Sequence, residues 1–293
     1  MKLVTKFTLI FIVVFGVGLS ISAYFSYRFL ERTARQHVLQ QARLMMDSAS
    51  SMRHYTTTEI KPLLDTPALR RAHFYAQTIP AYAATQSFNA LRLSGYPDYT
   101  YKEAVLNPTD LRDRPLDWEA DIINTFRSFT DRKELVGERD TPNGRSLFLA
   151  HPIKAAPACL ECHSTPQAAP PSMLRVYGTS NGFGWKENET VGAQIVSVPM
   201  ALAISIARDA FGNLMIYLTG LVLVTALVLD LVLIFSVVRP ISKLAAIADQ
   251  ISLGNLDVPE IQVRGNDEVS KLAGSFNRMH VSLAKALRML EEN

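Results

Sequence analysis

Two long apolar stretches with at most one charged residue each dominate the pattern of hydrophobic and polar positions along the chain. The first, "FTLIFIVVFGVGLSISAYFSY", runs from Phe7 to Tyr27, and the second runs from Phe211 to Val238 with Asp230 as its single charged residue. Each is long enough to cross the roughly 30 Å hydrocarbon layer of a bilayer as a helix. The pattern therefore predicts two transmembrane helices, at residues 7–27 and 211–238.

Charges beside these runs predict their orientation. Lys2 and Lys6 precede the first run, while Arg239 and Lys243 follow the second, and positive residues collect on the cytoplasmic side. Residues 1–6 and 239–293 are therefore expected in the cytoplasm, and residues 28–210 on the opposite side of the membrane. Small residues near the end of the first run loosely resemble a signal cleavage site, but the run is longer than a signal core, which favours a retained anchor.

The exported segment, residues 28–210, contains helical and strand patterns. A long helix is predicted over residues 28–64, ended or kinked at Pro62, with an apolar stripe at alternating spacings of four and three. The stripe consists of Val38, Ala42, Met45, Ala49 and Met52. A second helix is predicted over residues 116–131. Its inward positions are Trp118, Ile122, Ile123, Phe126 and Phe129.

Two further stretches of this segment alternate as strands do. They are "RSLFLAHPI", with Leu147, Leu149, His151 and Ile153 on one side, and the β-branched "VGAQIVSVPM". Residues 94–115 are rich in Pro and Tyr and are predicted to be an ordered loop. The fold class expected for residues 28–210 is therefore a mixed α+β domain.

Residues 239–293 carry two short apolar stripes joined by a connector with Gly and Pro. The first comprises Ile241, Leu244, Ala248 and Ile251, and the second Val269, Leu272, Phe276, Met279, Leu283, Ala286 and Leu290. Such seams are buried when a second copy completes a parallel four-helix bundle, which predicts a homodimer. With Pro240 after the membrane and Asp267, Glu268 and Val269 opening the last helix, this region resembles the HAMP linker of bacterial receptors and sensor kinases.

Both cysteines of the chain lie in "PACLECHS", residues 157–164. A thioredoxin-type disulfide would need a strand-to-helix junction in a βαβ pattern, which is not seen here. A structural zinc site would need four ligands. His163 completes C-x-x-C-H, the attachment motif of a c-type haem. Thiols of Cys159 and Cys162, one helical turn apart, would form thioethers with the two vinyl groups, and His163 would be the proximal iron ligand.

The exported segment resembles the periplasmic, PAS-like sensor domains with haem c that were first studied in cyanobacteria. The similar stretches include "TIPAYAATQSFNALR", "CLECHSTPQAAP" and "YGTSNGFGWKENETVGAQIVSVPM". The resemblance implies a central antiparallel sheet with flanking helices. It also implies one covalent haem, held by Cys159, Cys162 and His163, and a sensory role.

The sixth iron ligand stays open at this point. His54, at the far end of the long helix, ranks first, and His73 and His151 are the alternatives, followed by Met52, Met173 or an open position. Surface or core positions explain the same residues without iron. Further residues are expected beside the haem: Tyr177, Phe183 and Trp185 as pocket walls, and Arg175 as a propionate partner.

The order of these parts predicts a transmembrane sensor that detects redox state or a diatomic gas. Its signal would pass through HAMP to a downstream cytoplasmic protein, and no enzymatic activity is expected. The formal net charge of +3 is scattered over the chain, which argues against nucleic-acid binding. The alternatives are a membrane-anchored monohaem cytochrome for electron transfer, which needs neither second span nor HAMP, and the input half of a sensor kinase or chemoreceptor.

Overall fold

The computed structural model describes residues 3–262 and 265–291, except for the side chains of Leu287, Leu290 and Glu291. The chain forms two compact units, residues 28–210 and residues 1–27 with 211–293. The predicted fold class is confirmed, because a four-stranded antiparallel sheet with flanking helices accompanies two long apolar helices.

Ten α-helices and four strands are formed by the described residues. The helices are α1 Leu3–Tyr55, α2 Lys61–Leu64, α3 Pro67–Ala72, α4 Pro80–Leu93, α5 Asp117–Ser128, α6 Pro157–His163, α7 Pro171–Tyr177, α8 Ala201–Leu233, α9 Arg239–Ser252 and α10 Glu268–Glu291. The strands are β1 Thr100–Val105, β2 Leu135–Thr141, β3 Gly144–Lys154 and β4 Thr190–Pro199, in the order β1-β4-β3-β2.

The unit of residues 28–210 has three layers. One face of the sheet packs against α1 and α4, and its buried residues include Val38, Met46, Phe88, Leu147 and Val196. The other face packs against α5, chiefly through Ile122, Ile123 and Phe126. Successive side chains of β3 and β4 point to opposite faces of the sheet. Because helices cover both faces, both strands carry apolar residues on each side.

Arginines along α1 hold this helix across the sheet. Arg35 Nε lies 2.6 Å from Glu138 Oε1, and an Nη of Arg43 lies 2.9 Å from Glu134 Oε1. Near the end of α1, Arg53 donates to both carboxylate oxygens of Glu103 on β1. The helix therefore crosses from the β2 edge to the β1 edge.

A π-helical turn, Thr56–Ile60, separates α1 from α2. Pro62 lacks an N–H and crowds the carbonyl four residues earlier, which disturbs the regular α-helical ladder. Three threonine hydroxyls donate to the carbonyls of Met52, Arg53 and His54, each four residues back. Of the two effects predicted for Pro62, the structure shows an interruption: the α-helix gives way to a π-helical turn before Pro62 and then continues to Leu64.

Several sequence predictions need correction. The stretch 94–115, for which a loop is predicted, contains β1, and β2 has no counterpart among the predicted strands. On α1 the buried position is Met46, whereas Met45 is partly buried and Met52 is exposed, because the buried residues recur mostly every four positions. Phe129 is exposed because α5 ends at Ser128.

In the other unit, the two apolar helices contact each other. Thr8 Oγ1 lies 3.1 Å from both carboxylate oxygens of Asp230, and the rings of Tyr27 and Phe211 meet edge to face at 5.6 Å. Both helices are long and apolar enough to cross a membrane. A π-helical turn, Ile234–Val238, links α8 to α9.

The C-terminal helices form as the two stripes predict. Leu244 of the first stripe is buried, while Leu272, Met279 and Leu283 of the second are exposed in the single chain. Asn277 pairs with the connector, accepting from the Ile261 N–H at 3.1 Å and donating to the Ile261 carbonyl at 2.9 Å. The homodimer that would cover the exposed stripe stays a prediction.

Candidate functional site

The C-x-x-C-H motif forms the short helix α6. Pro157 occupies its first turn, where a missing N–H costs nothing. Cys159 and Cys162 are three residues apart, so their thiols lie on one face of the helix. Both are free thiols of intermediate exposure. Together they present two sulfur atoms that a planar group lying along the helix would reach.

The loop at Gly182 to Trp185 closes the carboxyl end of α6. The Gly184 N–H donates to the Ser164 carbonyl at 3.0 Å, and the Trp185 N–H donates to the His163 carbonyl at 3.2 Å. The Trp185 ring stacks on the His163 imidazole, with 4.1 Å between centroids and 12° between planes. The Trp185 ring therefore covers one face of the His163 imidazole.

A hydrogen bond fixes which nitrogen of His163 is free. Nδ1 lies 2.8 Å from the Gly182 carbonyl oxygen, and a carbonyl accepts only, so Nδ1 carries the proton. Burial lowers the pKa of His163, against a smaller opposing effect of that hydrogen bond. The imidazole is thus neutral at neutral pH with the Nε2 lone pair available, which is the form that binds a metal.

Gly182 itself is fixed by its surroundings. Its φ of +85° suits glycine, and a Cβ there would lie 2.1 Å from Thr109 Oγ1. Asn107 holds the same loop from the other side: its Oδ1 accepts from the Gly182 N–H, and its Nδ2 donates to the Phe183 carbonyl, both at 3.1 Å. The carbonyl that orients His163 is therefore itself held by two residues of the segment after β1.

A small cleft lies beside Cys162. It is lined by residues that include Lys61, Asp65, Arg70, His73, Phe74 and Tyr75. Burial raises the pKa of the Cys162 thiol, although Arg70 and Lys61 act in the opposite direction. Redox-active dithiols need a lowered thiol pKa, so Cys162 does not have the electrostatic surroundings of a thioredoxin-type site.

These residues fit a c-type haem. Such a group is attached through two thiols and bound through one imidazole nitrogen. Cys159 and Cys162 present two thiols on one face of α6, and the adjacent His163 is neutral with a free Nε2. The buried Gly182 carbonyl orients this imidazole. Among residues 3–262 and 265–291, no three His, Cys, Asp or Glu side chains come together as a metal-binding group. Cys159, Cys162 and His163 are therefore the residues of this site that could hold such a group.

The structure places the three candidate distal histidines in different surroundings. His73 lines the cleft that contains Cys162, and its ring lies 4.5 Å from that of Tyr75. His54 is exposed at the end of α1. His151 lies on β3, with Nε2 3.6 Å from Glu134 Oε2. Only His73 is thus brought next to a motif residue, and the identity of the sixth ligand stays a prediction.

The expected pocket residues are also distributed unevenly. Trp185 contacts His163 directly, and Tyr177 meets Phe74, a cleft residue, edge to face at 5.6 Å. Phe183 is half-buried and is held through its carbonyl. Arg175 donates to the carbonyls of Arg71 and Ala72 at 3.1 and 3.0 Å, so it closes the end of α3.

Sequence reasoning missed Asn107, Thr109 and Gly182. Asn107 and Thr109 lie in "LNPTD", directly after β1, within the stretch for which the sequence predicts a loop and no strand. A strand end followed by an Asn-Pro turn is the signal that would have singled them out. Their contacts with residues 163–183 join positions more than 50 residues apart, which spacing alone does not show.

Comparisons with known proteins give two family matches. A model described as Tll0287-like matches residues 31–199, and a HAMP domain model matches residues 232–285. Among solved structures, the crystal structure of the cyanobacterial heme-protein Tll0287 aligns with 55% of this chain and 94% of that chain, at 12% identity and a TM-score of 0.44. The comparison with curated proteins gives no match.

Proposed function

Because the chain belongs to the Tll0287-like family, whose model matches residues 31–199, we propose that it is a transmembrane sensor that uses one covalent c-type haem. The haem detects redox state or a diatomic gas. The signal leaves through the HAMP domain that matches residues 232–285. The chain itself catalyses no reaction in this proposal.

The observation that carries the proposal is the orientation of His163 beside two thiols. The Gly182 carbonyl directs Nε2 away from the loop, and Trp185 supports the ring. Cys159 and Cys162 form the thioethers, and His163 is the proximal ligand. The protein after which the family is named is described as a cyanobacterial heme-protein, which supports haem as the bound group.

The HAMP match favours sensing over simple electron transfer. A membrane-anchored monohaem cytochrome needs one anchor and no converter, whereas this chain has two helices long and apolar enough to span a membrane and a HAMP domain. Both α1 and α8 begin in one unit and end in the other. A change at the haem therefore has two continuous helices through which to act, provided that the stimulus favours one of two conformations.

The proposed setting is the inner membrane of a bacterium. Residues 28–210 lie in the periplasm, where cysteine-bound haem is attached, and residues 239–293 lie in the cytoplasm. Two copies pair through HAMP, which covers the stripe of Leu272, Met279 and Leu283 that is exposed in one chain. The partners are the membrane, a redox partner or a diatomic gas outside, and a cytoplasmic signalling protein inside; nucleic acid is not among them.

Absorption spectra of the detergent-purified full-length chain test this function. The protein is produced in cells that mature c-type cytochromes, then measured oxidised and reduced, with and without carbon monoxide or nitric oxide. A six-coordinate spectrum that does not change when either gas is added supports redox sensing. A ready carbon monoxide adduct supports gas sensing. His73→Ala and His54→Ala identify the distal ligand, because the variant that loses the ligand changes the spectrum.

A matched pair of variants tests the sensing step. Disulfide crosslinking between two copies, through a cysteine placed at an exposed stripe position by Leu272→Cys, reports the arrangement of the HAMP helices in membranes. The proposal expects the crosslinking yield to change when the haem is oxidised, and to stay constant in the Cys159→Ser, Cys162→Ser variant. Haem binding without any effect on HAMP crosslinking would leave the electron-transfer alternative.

A further inference from the structure

Arg70 of α3 is held between two carboxylates from different segments of the chain. Its Nε and Nη2 lie 2.8 and 2.6 Å from the two carboxylate oxygens of Asp65, which follows α2. Its Nη1 lies 3.4 Å from Oε2 of Glu161, a residue of α6 between the two cysteines. The guanidinium of Arg70 therefore contacts the attachment motif itself.

These three charged residues line the cleft that lies beside Cys162. Asp65, Arg70, Glu161 and Cys162 all form part of its wall. A c-type haem is joined to the cysteines of its motif by thioether bonds, so a haem at this motif is one covalent bond away from the Cys162 sulfur. The charges that line the cleft therefore lie beside a point where the haem is attached.

The positive charge of Arg70 is permanent and fixed in place. A guanidinium stays protonated in proteins, and two parallel hydrogen bonds to one carboxylate fix its orientation. The backbone is held as well, because the hydroxyl of the buried Ser172 donates to the Arg70 carbonyl. The side chain of Asp65 is 16% exposed and that of Arg70 is 36% exposed, so water screens this pair only in part.

The neighbouring positive charges are placed differently. Lys61 also lines the cleft, but its Nζ lies 3.9 Å from Asp65, and a lysine lacks the planar fork that fixes an arginine. Arg71, the next residue of α3, is not among the residues that line this cleft, and its Nε donates to the Pro67 carbonyl at 3.2 Å. Arg70 is thus the arginine of α3 that brings a fixed charge to Cys162.

We propose that Arg70 is a positioning residue that sets the redox potential of the haem attached at Cys162, and with it the potential at which the sensor responds. The inference rests on the proposed function, because it requires haem iron at this site. It adds a residue that belongs neither to the attachment motif nor to the candidate iron ligands. The ion pair with Glu161 and the shared cleft support it, since both place the guanidinium at the motif.

Charge balance gives the direction of the effect. When ferrous iron passes one electron to an external one-electron acceptor, the positive charge of the site rises by one. The guanidinium of Arg70 opposes this rise and stabilises the reduced state, which raises the midpoint potential. The carboxylates of Asp65 and Glu161 stabilise the oxidised state and lower the midpoint potential. Replacing the arginine by a neutral side chain and replacing either carboxylate by an amide therefore shift the midpoint in opposite directions.

A mediated redox titration of the full-length protein in detergent tests the inference. The variants are Arg70→Gln, which removes the positive charge; Arg70→Lys, which keeps it; and Asp65→Asn and Glu161→Gln, which each remove a negative charge. Arg71→Gln is the matched control, since it removes the same charge one position along α3. Covalent haem content and the ferric absorption spectrum are recorded for every sample, so that a lost haem or a changed iron ligand is distinguished from an electrostatic shift.

Arg70→Gln is expected to raise the ferric-to-ferrous ratio at a fixed potential roughly three- to tenfold, which is a midpoint lowered by about 30 to 59 mV for one electron. Asp65→Asn and Glu161→Gln are expected to raise the midpoint, and Arg70→Lys and Arg71→Gln to leave it near that of the parent chain. An unchanged midpoint in Arg70→Gln, or an equal decrease in Arg71→Gln, would overturn the inference.

A double variant keeps the test decisive if Arg70→Gln loses haem because Asp65 is left unpaired. Asp65→Asn combined with Arg70→Gln leaves no unpaired charge, and it differs from Asp65→Asn alone by the charge of Arg70. The inference expects a lower midpoint in the double variant than in Asp65→Asn, and equal midpoints would overturn it. A parent chain without covalent haem would overturn the proposed function, on which the inference rests.

Discussion

Two glycines of one loop offer a test of how His163 is held. Gly182 and Gly184 have nearly the same φ, +85° and +83°. A Cβ at Gly184 would meet nothing within 4 Å, whereas a Cβ at Gly182 would lie 2.1 Å from Thr109 Oγ1 and 2.9 Å from Thr109 Cα. Gly184→Ala therefore measures the backbone strain alone, and Gly182→Ala adds the steric clash.

The expected magnitudes follow from these distances. Left-handed backbone costs a residue with a Cβ roughly 1 to 2 kcal/mol in both variants. The clash involves a backbone atom of Thr109 that a side-chain rotation does not relieve, and overpacking of this kind costs about 1 to 3 kcal/mol more. For a unit of this size, each kcal/mol lowers the Tm by about 2 to 4 °C. Gly182→Ala is thus expected to melt several degrees below Gly184→Ala.

Fluorescence can report this difference, because both tryptophans of the chain, Trp118 and Trp185, lie in the unit of residues 28–210. The melts are measured in a Cys159→Ser, Cys162→Ser background, where no covalent haem quenches the signal. With the cysteines restored, Gly182→Ala should also change the haem spectrum, since the displaced carbonyl orients His163, while Gly184→Ala should not. Equal Tm values and unchanged spectra in both variants would refute the role given to Gly182.

Two further predictions concern buried charge. Burial raises the pKa of Asp113 to about 6, although the charge of Arg112 acts to lower it. Folding therefore favours the protonated carboxyl group. Its contribution to the free energy of unfolding is present below about pH 4 and is lost as the pH rises through about 6. Asp113→Asn should remove that loss, so its stability relative to the parent chain should rise by up to about 3 kcal/mol between pH 4 and 7; a pH-independent difference in thermal melts would contradict this. The second prediction concerns the contact between the two apolar helices, where the Thr8 hydroxyl contacts Asp230 and the ring of Tyr27 meets that of Phe211. In a chain with Tyr27→Cys and Phe211→Cys, Thr8→Val should lower the disulfide yield because it removes this hydroxyl, whereas Thr8→Ser should not. Equal yields in the two variants would show that the contact is dispensable.

The strands show which parts of the fold the sequence reveals. β3 and β4 are apolar and alternate, so they are recognised from their own residues. β1 is not, because Lys102 and Glu103 interrupt its pattern. In the structure Lys102 pairs with Glu119 at 2.7 Å and Glu103 pairs with Arg53. Each charge is neutralised by a partner at least 17 residues away, which a reading of neighbouring positions does not detect.

The candidate site divides in the same way. Cys159, Cys162 and His163 lie within five residues of one another, so the C-x-x-C-H spacing alone predicts haem attachment. Asn107, Thr109 and Gly182 hold His163 in place through contacts between distant segments, and only the folded chain brings them together. His54 and His73 are similar in sequence terms, since both are histidines before an aromatic residue, but only His73 lines the cleft with Cys162.

The proposed function requires that Cys159 and Cys162 bind one haem covalently. Intact mass spectrometry of the denatured full-length chain, produced in cells that mature c-type cytochromes, measures this attachment. We expect a mass increase of one haem in the parent chain that survives acidic acetone extraction, and no increase in the Cys159→Ser, Cys162→Ser variant. A parent chain that carries no added mass, or whose haem is removed by extraction, would contradict it.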